Sequence, residues 1–292
     1  MSGARDRDGA PRPAESDAYR RPTALERAAG VVGGMLGAGP LRNAARAAYR
    51  AAMELRTGGR GLECVLPGGE RVRVLPAFRY VTWNPAEVDA FRAALKPGDH
   101  AVDVGANVGC YTLLFARWVG EAGRVLALEP APDAFDGLVR HIALNGAGSI
   151  VKTLDVAASD RSGAARMAAD GFHGTNRLLG AEGAASTERT LEVRTTTLDE
   201  LCEREGLSPA LVKVDVEGAE LAVLRGATET IRRMGARLSL FVEMHPAEWR
   251  AADVSAEDVR AELAGMGLRA VPLRDVPDPW ALEGECMRLL PA

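Results

Sequence analysis

Hydrophobic positions along this chain switch between short apolar runs and helical spacing, with turn residues between them. Residues 101–104 form a strand in which Val102 and Val104 carry the β-branched signal. Gly105 and Gly109 bracket a sharp turn. Val108, Tyr111, Phe115 and Trp118 then recur at helical spacing, which gives one apolar face to lay on a sheet. A second apolar run, 124–128, ends in Glu129-Pro130, and a helix over 133–144 stops at Asn145-Gly146. A third strand is expected over 150–157, followed by Ala158-Ser159-Asp160. The run from Leu211 gives a fourth strand ending in Asp215, and Leu221, Leu224 and Ile231 give the next segment a helical face. A fifth strand, 238–242, ends in Glu243-Met244-His245-Pro246. A helix over 256–266 and two strands near 269–273 and 286–290 close the chain. Five strands with mainly helical crossovers and a terminal strand pair predict an α/β fold, a doubly wound seven-stranded sheet that is mostly parallel.

Two regions stand outside this alternation. Residues 1–22 hold almost no large apolar residue and read as a disordered tail. Residues 28–41 are apolar and small, too short and too glycine-rich to be read as a membrane span. Residues 42–56 read as a helix, with Arg42, Arg46 and Arg50 on a solvated face. Runs at 62–66 and 71–75 flank Pro67-Gly68-Gly69-Glu70, the pattern of a hairpin. Asn84-Pro85 then starts a helix through Leu95. These features divide the chain into a tail (1–22), an N-terminal helix and hairpin extension (23–80) and a main domain (81–292). Within the main domain, residues 161–198 predict two short antiparallel strands, 164–168 and 191–197, around a Gly-rich loop. Such a loop is either a lid over a bound partner or a mobile surface segment.

Composition narrows the class. The chain has 292 residues, 47% hydrophobic and 26% charged, the mix of a globular protein. A net charge of −4 argues against a general nucleic-acid surface. Four cysteines, Cys64, Cys110, Cys202 and Cys286, are scattered with no Cys-x-x-Cys pair, so neither a zinc knuckle nor a disulfide framework is indicated. A cytoplasmic setting without membrane attachment is the expectation. A homo-oligomer through the N-terminal segment is left open.

The candidate chemistry lies at the strand ends. The first turn reads Asp103-x-Gly105-x-Asn107-x-Gly109. A dinucleotide fingerprint needs glycine where Asn107 stands, because its second glycine admits the pyrophosphate, so an NAD-dependent oxidoreductase is disfavoured. Asp103 suits a cationic group such as an α-amine. Unpaired N–H groups at the start of the following helix offer a dock for a polar ligand tail. Glu129 comes 20 residues after Gly109, where a strand-end acid can hydrogen-bond both ribose hydroxyls of an adenosine.

The stretches Val102-Asp103-Val104-Gly105-Ala106-Asn107-Val108-Gly109, Glu129-Pro130, Val212-Lys213-Val214-Asp215-Val216-Glu217-Gly218-Ala219-Glu220 and Glu243-Met244-His245-Pro246 together resemble the FkbM family of S-adenosylmethionine (SAM)-dependent methyltransferases. The resemblance covers residues 81–245, and its most specific part is the block from Lys213 to Glu220. It implies a class I, Rossmann-like methyltransferase fold and O-methylation of a hydroxylated small molecule, such as a sugar or secondary metabolite. It further implies that Asp103, Gly105, Ala106, Asn107, Gly109, Tyr111, Glu129, Pro130, Ala158, Ser159 and Asp215 form the SAM site. Asp215, Glu217, Glu243 and His245 converge on the acceptor rim. His245 is the expected general base, because histidine titrates nearest neutral pH, with Asp215 or Glu243 orienting its ring. Two readings stand beside these: Glu217 as a helix N-terminal acid, and His245 as a packing residue before Pro246. Two functional alternatives are Mg²⁺-assisted transfer on the acidic rim and a non-catalytic SAM-binding scaffold.

Overall fold

The computed structural model describes residues 40–66, 69–78, 81–168, 177–179 and 190–292. The expected tail, the apolar segment before residue 40, Pro67-Gly68 and most of the Gly-rich loop lie outside these residues. Two compact units divide between Pro85 and Ala86.

The first unit carries helix α1 (Pro40–Thr57) and the expected hairpin, β1 (Leu62–Val65) with β2 (Arg71–Val74). The hairpin strands pair antiparallel, Leu62 opposite Val74 and Val65 opposite Arg71. Alternation along them buries Cys64, Val72 and Val74.

The second unit alternates strand and helix: α2 (Pro85–Ala94), β3 (His100–Val104), α3 (Cys110–Val119), β4 (Arg124–Leu128), α4 (Pro132–Leu144) and β5 (Val151–Leu154). Next come β6 (Ala157–Ala158), β7 (Gly163–Ala168), β8 (Arg177–Leu179), β9 (Thr190–Thr196), α5 (Leu198–Glu205) and β10 (Pro209–Val214). The chain ends through α6 (Glu220–Arg225), α7 (Thr228–Met234), β11 (Ser239–Met244), α8 (Pro246–Ala251), α9 (Ala256–Gly265), β12 (Leu268–Pro272) and β13 (Glu285–Pro291). The main sheet has seven strands in the order β12-β13-β11-β10-β3-β4-β5. Strands β5, β4, β3, β10 and β11 run parallel, and β13 pairs antiparallel with both β11 and β12. The expected doubly wound sheet is therefore present.

This order places a topological switch between β3 and β10. The chain moves outward from β3 through β4 to β5, then returns to β10 and moves the other way. A crevice opens beyond the carboxyl ends of the strands at such a point. Near-continuous apolar strands suit a sheet covered on both faces: Val102, Val104, Leu126, Leu128, Val212, Val214, Leu240 and Val242 all join one buried core. Helix α3 seals one face with Leu113, Leu114, Phe115 and Val119, all at most 2% exposed. Each such side chain contributes about 1.5–3 kcal/mol relative to exposure.

Two expectations need correction, and one helix, α8, was not foreseen. The third strand stops at Leu154, not at residue 157. The chain then leaves the main sheet, and Ala157–Ala158 pairs parallel with β9 in a second sheet of order β6-β9-β7-β8. The helical segment after Asp215 is two short helices broken at Gly226-Ala227. A Cβ on Gly226 would lie 2.0 Å from the Ser159 carbonyl oxygen, so that close approach sets the break. Helix α8 follows His245 directly, with Pro246 at its first position, where a missing N–H costs nothing. The expected antiparallel pair of the second sheet is present as β7 and β9. No described helix is long and apolar enough to cross a membrane.

Candidate active site

Register brings the strand-end residues side by side. Val104 of β3 is level with Leu128 of β4 and Val214 of β10, and Val214 is level with Val242 of β11. Gly105, Glu129 and Asp215 therefore follow their strands onto one carboxyl rim, which Glu243 joins from the last residues of β11. A cleft opens there. Gly105, Asn107, Glu129 and Pro130 line one part of it, Val156, Ala157, Ala158 and Met167 another, and Asp215, Glu217 and Glu243 a third.

The first turn is held from several sides. Gly105 has φ +77°, and a Cβ there would sit 1.7 Å from the Asp215 carbonyl oxygen. Only glycine lets β3 and the loop after β10 meet. The Gly105 and Ala106 amides both donate to the Leu128 carbonyl, at 3.0 and 2.8 Å. Buried His141 on α4 donates Nδ1–H to the Val108 carbonyl at 2.6 Å, which pins the far side of the turn. Gly109 caps α3 at φ +87° against Leu138.

Two acids flank the turn. Glu129 is 6% exposed. Its Oε2 accepts from the Asn107 amide and its Oε1 from the Ala131 amide, both at 2.8 Å. Each oxygen keeps a lone pair free, on a residue that lines the cleft. Burial pushes Glu129 up to about 7, against the pull of those two amides. Asp103 is 1% exposed; its Oδ2 accepts from Thr112 Oγ1 at 2.5 Å, and its buried Oδ1 has no partner. An orphaned buried carboxylate oxygen is unusual and calls for a donor. Burial raises the Asp103 pKa, with Lys213 opposing.

The opposite end is an acidic rim around a buried cation. Lys213, 3% exposed, donates Nζ to Asp215 Oδ2 at 2.8 Å and lies 5.2 Å from the centre of the Tyr111 ring. Burial works against its charge, but Asp215, Asp103 and Glu243 outweigh burial and hold it above the ordinary lysine range. The same Lys213 contact holds Asp215 below its ordinary value despite burial. Burial lifts Glu217 to about 7. Burial, with Asp215 beside it, raises Glu243 well above the usual carboxylate range.

His245 stands behind these acids. It is 4% exposed and, among the described residues, is not part of the cleft lining. Its Nε2 faces Glu217 Oε2, Asp215 Oδ1 and Glu243 Oε1 at 3.6, 3.7 and 3.9 Å. Its Nδ1 bonds Glu220 Oε1 at 2.7 Å. Glu220, not Asp215 or Glu243, orients the ring. Glu220 is itself 1% exposed and also accepts from Trp249 Nε1 and the Gly218 amide, each at 2.8 Å. Glu220, and not Glu217, accepts from the Gly218 amide in the turn before α6. Burial would lower the His245 pKa, but the Glu220 bond and the charges of Asp215 and Glu217 overcome it and hold His245 at about 9, away from the expected neutrality.

The remaining expected residues are divided. Gly105, Asn107, Glu129, Pro130, Ala158 and Asp215 line the cleft. Ala106, Gly109 and Asp103 build the turn beneath it. Tyr111 is turned aside: its hydroxyl donates to Glu87 at 2.5 Å and its ring packs edge-on against Phe91. Ser159 is also outside the lining, its amide bonded to the Thr196 carbonyl. Sequence reasoning missed Val156, Ala157, Met167, His141, Glu220 and Trp249. Glu220 had a visible signal, a second acid three residues after Glu217, but its inward direction is set by the turn at Gly218.

The family model described as "Methyltransferase FkbM domain" matches residues 103–270, from the acid of the first turn into β12. The chain belongs to the FkbM methyltransferase family. This FkbM chain is 33% identical over 163 residues to hexuronic acid methyltransferase AglP of Haloferax volcanii, covering 54% of this chain and 62% of that protein. It is 42% identical over 71 residues to methyltransferase sdnD of Sordaria araneosa, 24% of this chain and 27% of that protein. The chain thus spans less than two thirds of the length of either relative. Among solved structures, fibrillarin of Aeropyrum pernix with bound S-adenosyl-L-methionine has a TM-score of 0.41 at 13% identity, over 79% of this chain and 82% of that one.

Proposed function

We propose that this protein is a SAM-dependent O-methyltransferase that acts on a hydroxylated small molecule. The observation that carries the reading is the pairing, across one cleft, of a doubly anchored Glu129 with an acidic rim of Asp215, Glu217 and Glu243. The cofactor would supply a methyl activated on a sulfonium. The residues fit it: Glu129 offers free lone pairs to vicinal ribose hydroxyls, and the orphaned Asp103 Oδ1 at the base of the turn calls for a cationic donor. Small and apolar Ala157, Ala158 and Met167 suit the flat adenine.

The rim residues would orient an acceptor hydroxyl and take its proton. Positioning supplies roughly 7–11 kcal/mol in such reactions, and a base adds about 10²–10⁴ in rate. Because Asp215, Glu217 and Glu243 line the cleft and His245 lies behind them, the first proton acceptor is a carboxylate. Glu217, at about 7, matches a neutral operating pH best. His245 then holds the rim in place. The AglP likeness supports a sugar acid or similar polyol as the acceptor class. Magnesium-assisted transfer on the same rim is the second reading, supported by two acids, Asp215 and Glu217, and the His245 imidazole, which bring one donor atom each within 4.8 Å of one another. Labelled SAM incubated with the protein and a panel of sugars, sugar acids and hydroxylated metabolites tests the function. Label is expected on an acceptor oxygen, and transfer to nitrogen or carbon alone would overturn it.

A further inference from the structure

Three side chains on the rim meet at one point in a way that an acidic cluster alone does not require. Asp215 Oδ1 and Glu217 Oε2 lie 3.7 and 3.6 Å from His245 Nε2, and one donor atom from each residue lies within 4.8 Å of the other two. Adjacent ligands on an octahedral ion stand about 3.0–3.7 Å apart for bonds of about 2.1–2.6 Å. The two His245 separations are too long for hydrogen bonds and match adjacent ligands on one cation.

The histidine is an independent observation. It is 96% buried by its 4% exposure, its Nδ1 is taken by Glu220, and Nε2 makes no hydrogen bond with any described residue while pointing into the three carboxylates. Glu217 likewise has no hydrogen-bond donor among the described residues. Metal-bound histidine almost always gives its other nitrogen to a carboxylate that is itself hydrogen-bonded. The His245–Glu220 pair, braced by Trp249 and Gly218, has that form.

We propose that Asp215, Glu217 and His245 hold one divalent first-row transition ion, of the Mn²⁺ type, at the acceptor edge of the cleft. An imidazole in the ligand set favours such an ion over Mg²⁺, which prefers oxygen donors. Asp215 and Glu217 line the cleft, so an ion held there would supply Lewis-acid chemistry that eases proton loss from an acceptor hydroxyl, and with it bound Glu217 would serve as a ligand in place of the free base. The inference rests on the methyl-transfer reading for its purpose, but ion binding itself can be measured without turnover.

The experiment titrates Mn²⁺ alone into metal-stripped full-length protein. Free Mn²⁺ is followed by electron paramagnetic resonance and bound Mn²⁺ by pulsed detection of nitrogen coupling. One saturable site with imidazole nitrogen coupling is expected, with Mg²⁺ competing only in large excess. Glu217→Gln should abolish tight binding. Glu220→Gln, which touches no ion, should weaken it about 10–100-fold. Glu217 is partly exposed, so its variant should keep the native circular dichroism and serve if a His245 variant does not fold. Absence of saturable binding, absence of nitrogen coupling, or unchanged binding in both variants would overturn the proposal. S-adenosylhomocysteine affinity is measured on the same samples. If that ligand binds and Mn²⁺ does not, only the metal site falls; if Mn²⁺ binds and that ligand does not, only the cofactor reading falls.

Discussion

Glu129 and Gly105 decide most at the scale of single residues. Glu129 is held by two amides and kept near 7 by burial, above the ordinary 4.5. A raised folded-state value stabilises the protonated fold, so this contribution is full below 4.5 and is lost as pH rises through 7. On the proposed reading, ribose hydroxyls donating to the carboxylate would reverse that preference. S-adenosylhomocysteine should therefore bind more tightly as pH rises to 7, by up to about tenfold per unit, and level off above it. Calorimetric titration across this range checks the slope, and Glu129→Gln should flatten it. Glu129→Ala should cost about 1.5–3 kcal/mol of affinity per lost charge-assisted bond, and it should also lower stability by about 1–3 kcal/mol for each of the Asn107 and Ala131 amides left without an acceptor. A flat profile in the wild type would move the ribose contact elsewhere. Gly105→Ala meets a different obstacle: a positive φ and a backbone oxygen 1.7 Å from the new atom. A loss of about 2–6 kcal/mol in chemical denaturation is expected.

Among elements, the turn joining β10 to α6 has the largest consequences. Glu220 begins α6, yet its side chain ties together His245 after β11, Trp249 on α8 and the Gly218 amide. Glu220→Ala leaves two buried donors, His245 Nδ1 and Trp249 Nε1, and the part-buried Gly218 amide without an acceptor. It should lower stability by about 3–5 kcal/mol, and Glu220→Gln by less, as read from urea midpoints. Equal midpoints for Glu220→Ala and the wild type would show that this knot is not structural. This knot also marks where sequence reading stops. The apolar runs of β3, β4, β10 and β11 and the spacing of Glu129 were legible, because burial on both faces and strand-end chemistry leave local marks. The family resemblance implies Tyr111 and Ser159 in the cofactor site, but a one-residue change of direction at a strand or helix end turns a side chain away. Tyr111 goes to Glu87 and Ser159 to the second sheet. The orientation of His245 was not legible, since Glu220 reaches it from another element. The early end of β5 and the presence of α8 depend on tertiary contacts that local pattern does not encode.

For the whole molecule, the order of the sheet explains why chemistry gathers where it does. The switch between β3 and β10 places Glu129 on one side and the rim of Asp215, Glu217 and Glu243 on the other, so a single cleft can hold a cofactor and an acceptor end to end. The missing glycine at Asn107 argues against a dinucleotide in the same space. Thermal unfolding of the full chain with S-adenosylhomocysteine, and in parallel with NAD⁺, tests this most directly, because a ligand selective for the folded state raises Tm in proportion to its binding. At about 100 times its Kd, S-adenosylhomocysteine should add about 2.7 kcal/mol of stability and raise Tm by several degrees, while NAD⁺ leaves it unchanged. A rise with NAD⁺ and none with S-adenosylhomocysteine would contradict the account.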